Sequence, residues 1–362
     1  MKRYASIFFA LMLLTALLSG CAPNQSPEDS ENMPPNAASP SPSISPSSDV
    51  SPTGAEIVEP GVSLSIVCTI FPQYDWVRQI LGDNAGSHEM TLLLNNRIDL
   101  HSYQPSVDDI VKISNCDLFI YVGGESDVWT EDVLRSAQNP EMLVISLMDV
   151  LGEGVKTDES VLGGEDDDHG HGHGHDHDED DDEDEDDEHV WLSLRNAEIF
   201  CIAIADALSS LNEEKTEEYG SNLTAYIAQL SALDASYLAE LGGTPVRTLV
   251  FADRFPFRYL LDDYDLSYFA AFPGCSAETE ASFSTIVTLA GKVNELGLRT
   301  VMVTESADKS IANTVINNTN ERNQQILVLD AMQSVTTNDV QSGTTYLSIM
   351  ESNLDVLREA LK

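Results

Sequence analysis

Short apolar runs alternate with amphipathic stretches along most of the chain. Residues 64–70 (LSIVCTI), 88–94 (HEMTLLL), 117–122 (DLFIYV) and 142–147 read as buried strands, with helix periodicity at 74–81, before 113 and at 130–137. The pattern returns in the second half. There, 246–252 (VRTLVFA), 266–272 (LSYFAAF), 299–304 (RTVMVT) and 325–330 (QILVLD) alternate with helix signals at 255–261, 277–296, 310–319 and 344–361. Strand, helix, strand at this spacing predicts parallel sheets covered by helices on both faces. Between the halves, 194–211 reads as an amphipathic helix and 213–241 as a longer one. In the longer one Tyr219, Leu223, Tyr226, Leu230, Leu233, Tyr237 and Leu241 recur at steps of three and four, giving one apolar stripe. At 1.5 Å per residue this is a rod of about 43 Å, ended by Gly242 and Gly243. The expected class is α/β: two doubly wound parallel-sheet lobes bridged by one long rigid helix, with a cleft between them.

Three stretches break the pattern. Met1-Lys2-Arg3, an apolar run over 7–18 and Leu18-Ser19-Gly20-Cys21 read as a secretory signal, the run being too short to span a bilayer. LSGC resembles the lipobox of bacterial lipoproteins, which implies acylation of Cys21 and tethering to the outer face of the membrane. Residues 22–60 are Pro, Ser, Asn and acid, an extended spacer. The third is EDDDHGHGHGHDHDEDDDEDEDDEHVWL, starting at Glu165. Such a run offers nothing to bury against its chain entropy. Its alternating His169, His171, His173, His175 and His177 suit zinc, copper or nickel, collected weakly and at many sites. The expected plan is a signal over 1–20, a tether over 21–60, a first lobe over 61–212 containing the loop 165–188, a linking helix over 213–242 and a second lobe over 243–362.

The formal charge is −43, and the sixteen carboxylates between Glu165 and Glu188 still leave −27 on the rest. That excludes nucleic acid and anionic lipid as partners and favours cations. Apart from Cys21, the cysteines are Cys68, Cys116, Cys201 and Cys275. An exported chain allows them to pair, and isolated buried thiols are the equal alternative.

The order IFPQYDWVRQILG, DLHSYQPSVDDI, NCDLFIYVGGESDVW, EHVWLSLRNAE and VMVTESAD resembles the metal-receptor lipoproteins of zinc and manganese ABC importers, over residues 64–362. The resemblance implies a metal held in the interlobe cleft by one residue from each of four loops. It assigns His101 in DLHSYQP as the first ligand, with Leu100 in place of the usual proline, and His189 in EHVWL as the second, with Glu188 in that place. His101 also follows a strand, where open α/β sheets bind ligands. His88, inside a strand signal, reads as structural. At the third position an ungapped reading puts Ala252, which cannot bind metal, so the adjacent Asp253 is the expected donor, against a capping role for the next helix. At the fourth, Asp308 is expected, with Glu305 its rival. Cys275 and Glu278 in GCSAETE lie on a loop after a strand within reach of the cleft, where a thiolate would suit zinc although nothing in the spacing requires it.

Two imidazoles and two carboxylates fit zinc, and more oxygen would fit manganese. The histidine run selects zinc, with manganese as the alternative. The expected function is a monomeric, lipid-anchored receptor that captures zinc and delivers it to an ABC permease, the loop gathering metal for the deeper site and capture weakening as histidines protonate below about pH 6. A secreted zinc hydrolase is the reading from another class. Against it, the chain contains no HExxH and no further histidine near the cleft. A passive metal buffer or adhesin, in which only the loop matters, is the third.

Overall fold

The computed structural model describes residues 62–157, 186–276 and 280–362. The signal, the tether, Cys21, His169, His171, His173, His175, His177 and Glu278 lie outside the described residues. Residues Glu59–Lys362 form one compact unit.

The first lobe runs β1 (Ser65–Cys68), α1 (Phe71–Leu81), β2 (Glu89–Leu92), α2 (Val107–Asn115), β3 (Leu118–Tyr121), α3 (Trp129–Arg135), β4 (Leu143–Ser146) and α4 (Leu147–Leu151). Its sheet has the order β2-β1-β3-β4, every pair parallel. Then come α5 (Leu194–Leu211) and α6 (Thr216–Leu241). The second lobe runs β5 (Thr248–Phe255), α7 (Arg258–Asp263), β6 (Ser267–Pro273), α8 (Phe283–Glu295), β7 (Thr300–Thr304), α9 (Ser310–Asn317), β8 (Gln325–Leu329), α10 (Thr337–Gln341) and α11 (Tyr346–Ala360). Its sheet, β6-β5-β7-β8, is also parallel throughout and repeats the order of the first. Strands buried on both faces carry the unbroken apolar runs seen in the sequence, such as Ile66, Val67 and Cys68.

The long stripe on α6 is buried at Tyr219, Tyr226, Leu230, Leu233, Tyr237 and Leu241. With its 3-10 lead-in at Glu213–Lys215 the rod has the expected extent. It packs on α5, α1 and α11, so one apolar core runs from the first lobe into the second. The contacts across are specific. Tyr346, at the start of α11, donates its backbone N–H to buried Asp75 Oδ2 of α1 at 2.9 Å. Trp191 Nε1 donates to Ala331 O at 3.0 Å, and Tyr346 Oη to Trp191 O at 2.8 Å.

Two boundaries differ from the sequence expectation. A bulge between Phe251 and Arg254 carries β5 on to Phe255, so Asp253 lies inside the strand and α7 starts only at Arg258. A bulge adds a residue without breaking the strand, and a periodicity count stops at it. Cys68, Cys116 and Cys201 are buried thiols outside any disulfide. Among the described residues, no helix is long and apolar enough to cross a membrane.

Removing a fully buried side chain from the α6 stripe should be felt by the whole molecule. Leu230→Ala is expected to destabilise by about 2–5 kcal/mol in urea unfolding. Leu238→Ala, on the exposed face of the same helix, should change stability by no more than about 0.5 kcal/mol.

Candidate metal centre

Both sheets present their carboxyl ends to the same cleft, where open α/β sheets bind ligands. His101 follows β2, on a one-turn 3-10 helix at Leu100–Ser102. Ser126 follows β3, residues 187–189 follow β4 and α4, and Cys275 follows β6. Four chain segments distant in sequence therefore meet at one point.

His101 Nδ1 lies 2.7 Å from Ser126 Oγ and 3.4 Å from Glu188 Oε2. His189 Nδ1 lies 2.9 Å from Asp187 Oδ1, which also accepts the His189 backbone N–H at 2.8 Å. A carboxylate only accepts, so it selects the tautomer with the proton on Nδ1 and leaves the Nε2 lone pair bare. The two rings stand 5.3 Å apart between centroids. His101 Nε2, His189 Nε2 and Glu188 Oε2 are all buried with no hydrogen-bond partner among the described residues. Donor atoms of His101, Glu188 and Cys275 lie within 4.8 Å of one another, a grouping able to hold a metal ion.

Glycines make this approach feasible. A Cβ on Gly124 would sit 2.5 Å from Glu188 Oε1, and its φ of +77° is itself a glycine conformation. A Cβ on Gly274 would come within 2.9 Å of both His189 Cε1 and Phe255 O, so the Cys275 loop lies directly against the second imidazole. Glu188 Oε1 accepts from Ser126 N at 2.7 Å. Burial raises the Glu188 carboxyl, but the His101 imidazole 3.4 Å away and the bond from Ser126 outweigh this and hold it below the ordinary glutamate range. Buried Asp127 accepts from Val122 N and Gly123 N at 2.9 and 3.1 Å, bracing the loop that carries Ser126. Burial leads in pushing its carboxyl up to about 6, against those two bonds.

Of the four residues expected to hold the metal, the structure brings the two histidines together and gives the two aspartates other partners. Asp253 lines the same cleft of about 440 Å³ as His101 and Asp308. Its Oδ2, however, accepts from Thr304 N at 2.9 Å and from Thr304 Oγ1, tying β5 to β7. Asp308 is exposed and accepts from Ser310 N at 2.8 Å, which fixes the start of α9 and lowers its pKa. The rival Glu305 accepts from Ala331 N and Gln333 N at 2.9 and 3.0 Å. Ala252 is core. Arg254 crosses the cleft to Asp99 Oδ2 at 2.6 Å, while Asp99 Oδ1 accepts from His101 N at 3.0 Å. Burial would raise Asp99, and the Arg254 bond and charge with His101 outweigh it to lower its pKa. His88 Nδ1 accepts from Leu64 N at 3.1 Å, a structural role.

The sequence reading missed Glu188, Asp187 and Ser126 as parts of the site. A glutamate standing where the resembling family has proline was the one signal for the first of them.

Two doubly wound lobes with nitrogen, oxygen and sulfur donors converging between them define a two-lobed α/β binding protein with a candidate metal centre. Residues 66–360 match the family described as ZnuA, zinc-uptake complex component A, periplasmic, and the chain belongs to it. It is 30% identical over 299 residues to zinc-binding lipoprotein AdcA of Streptococcus pneumoniae, covering 82% of this chain and 55% of that one. The chain thus spans about half the length of several curated relatives that it matches. With the high-affinity zinc uptake system protein ZnuA of Bacillus subtilis it shares 26% identity over 301 residues, covering 83% and 88% of the two chains. The crystal structure of the Zn(II)-bound ZnuA-like domain of S. pneumoniae AdcA superposes with a TM-score of 0.63 at 27% identity, covering 83% of this chain and 99% of that one.

Gly124→Ala should lower the thermal unfolding temperature, its backbone strain alone being worth about 1–3 kcal/mol. Gly86→Ala, where a Cβ meets nothing within 4 Å, should be neutral.

A second expectation concerns Asp330, beside Glu305. Burial first, and the Glu305 charge second, push its carboxyl up to about 7. Between the ordinary aspartate value of about 3.9 and that point only the folded chain keeps the proton, so this group's contribution to stability falls as pH rises through the window. Asp330→Asn should therefore raise the melting temperature at about pH 8 and leave it unchanged below about pH 4.

Proposed function

We propose that the chain is an extracytoplasmic receptor that captures zinc in the interlobe cleft and delivers it to an ABC importer in the membrane. The observation that carries this reading is the pair of imidazoles, half-buried His101 and fully buried His189, each with Nδ1 held by a neighbour and Nε2 without a hydrogen-bond partner among the described residues. A divalent cation would take both ring nitrogens and the neighbouring carboxylate of Glu188 at once. Membership of a zinc-uptake family and the names of the relatives support zinc as the cargo. The lipobox-like Cys21 supports a lipid anchor on the outer face of the membrane, as do the relatives named lipoproteins. Manganese is the alternative cargo.

Closure on the metal is small in this reading. The rod α6 and the contacts of Tyr346 and Trp191 already tie the lobes together, so loading moves loops at the cleft more than whole lobes. The histidine run 169–177 serves as a gathering loop, returning to the fold next to the site. Thr157 and Asp186 form an antiparallel bridge, and Asp187 N donates to Lys156 O at 2.7 Å.

Calorimetric titration with zinc and manganese tests the reading. The soluble chain from Gly61, lacking residues 166–185 so that Asp186 and Asp187 remain, should keep one tight zinc site. His101→Ala and His189→Ala should each abolish it. Tighter retention of manganese would reverse the cargo, and a chain that loses all binding with the loop would be a passive buffer.

A further inference from the structure

We infer that Cys275 is the second lobe's ligand to the captured metal, binding as a thiolate and making the centre selective for zinc over manganese. This rests on the receptor reading above, and goes beyond it in naming the donor on the second lobe and its chemistry.

Three observations converge on Cys275. Its Sγ belongs to the one group of donors, among the described residues, close enough together to share an ion, with His101 and Glu188. Glu188 and His189, 1% and 0% exposed, aim polar atoms without partners at the place where its loop arrives. Gly274 lets that loop approach His189 to a distance that a Cβ would forbid.

Elimination points the same way. The end of β5 faces the cleft, but each of its three side chains there has other work: Ala252 in the core, Asp253 on Thr304, Arg254 on Asp99. Asp308 is exposed and Glu305 is engaged by two backbone amides. A metal gripped by His101, His189 and Glu188 alone would touch only the first lobe. Cys275 supplies the missing contact from the second.

The chemistry follows from the donor. Zinc takes sulfur and nitrogen in a tetrahedral set, and manganese prefers oxygen. On binding, the thiol surrenders its proton to solvent as the metal–sulfur bond forms. The centre is therefore softer than the two-histidine, two-carboxylate set expected from the sequence.

The test uses the soluble chain from Ala22, with its acidic run intact, loaded with cobalt(II) as a spectroscopic stand-in. The tract Glu165–Glu188 contains no cysteine, and Cys68, Cys116 and Cys201 are buried in the core. A thiolate-to-cobalt charge-transfer band in the near ultraviolet then reports Cys275 alone. The expected result is that band, displaced by one equivalent of zinc and absent in Cys275→Ser. Losing an outer partner of a ligand typically costs 10–100-fold in affinity, so losing the ligand itself should weaken the tightest zinc site by roughly 100-fold or more in chelator competition. Cys275→Asp should lower the ratio of zinc to manganese affinity by at least ~10-fold.

A histidine-dependent visible cobalt spectrum without the thiolate band, and a Cys275→Ser protein that keeps its zinc affinity, would overturn the assignment and leave the receptor standing. A wild-type chain with no tight site for either metal would remove both. The wild-type spectrum needs no variant, so a folding defect in Cys275→Ser does not blunt the test.

Discussion

Three polar atoms, His101 Nε2, His189 Nε2 and Glu188 Oε2, are buried with no hydrogen-bond partner among the described residues, and the rest of the structure is arranged to keep them so. Each such group costs about 1–3 kcal/mol to leave unsatisfied. A loop free to rearrange would turn them to water or to each other. Here the surroundings forbid it: Asp187 fixes one ring, Ser126 the other, and Glu188 is locked through Oε1 to the Ser126 amide. The fold supplies stability elsewhere and holds this unfavourable arrangement in place, which is the preorganisation that the proposed cation capture requires.

That stability comes from the continuous core. Trp76, Phe200, Tyr219, Tyr237 and Tyr346 are all fully buried along the seam of α1, α5, α6 and α11. The segment that carries His189 leads straight into this seam, since Val190, Trp191 and Leu192 are buried and Trp191 bonds to the second lobe. His189 is consequently part of the rigid frame. His101, on a short turn held by Asp99, is the more adjustable partner, and the Arg254–Asp99 pair makes its position answer to the second lobe.

Much of this was legible in the chain. Short, mostly apolar runs located the eight strands of the described residues, most plainly where a strand such as β1, β3 or β7 is buried almost throughout, and steps of three and four located α5 and α6. The single-turn helices α4 and α10 went unseen, being too short to show a period. Of the candidate site, the sequence made the loop positions legible and left the donor set open. His101 and His189 sit in distinctive local motifs. Asp253 was placed at a strand end, and the bulge at Phe251–Arg254 puts it inside the strand, lining the cleft with its Oδ2 bonded to Thr304. Glu188 and Cys275 were both noticed, one as a substitution and one as a loop thiol. Only tertiary packing brings their donor atoms together, and no local spacing encodes that.

The acidic insertion also acquires a physical relation to the site. Its stem closes at the Thr157–Asp186 bridge, clasped by the second lobe through Tyr259, whose Oη accepts from Lys156 N and donates to Asp187 O, both at 2.9 Å. Asp187 is simultaneously the residue that orients His189. A pull on the stem is thus passed by a single peptide step to the carboxylate that sets the tautomer of His189, and from the other side by one hydrogen bond to α7. The insertion and the centre are for this reason not separable modules: the residues that end the loop begin the site, and a truncation that removed Asp187 with the loop would report on both at once.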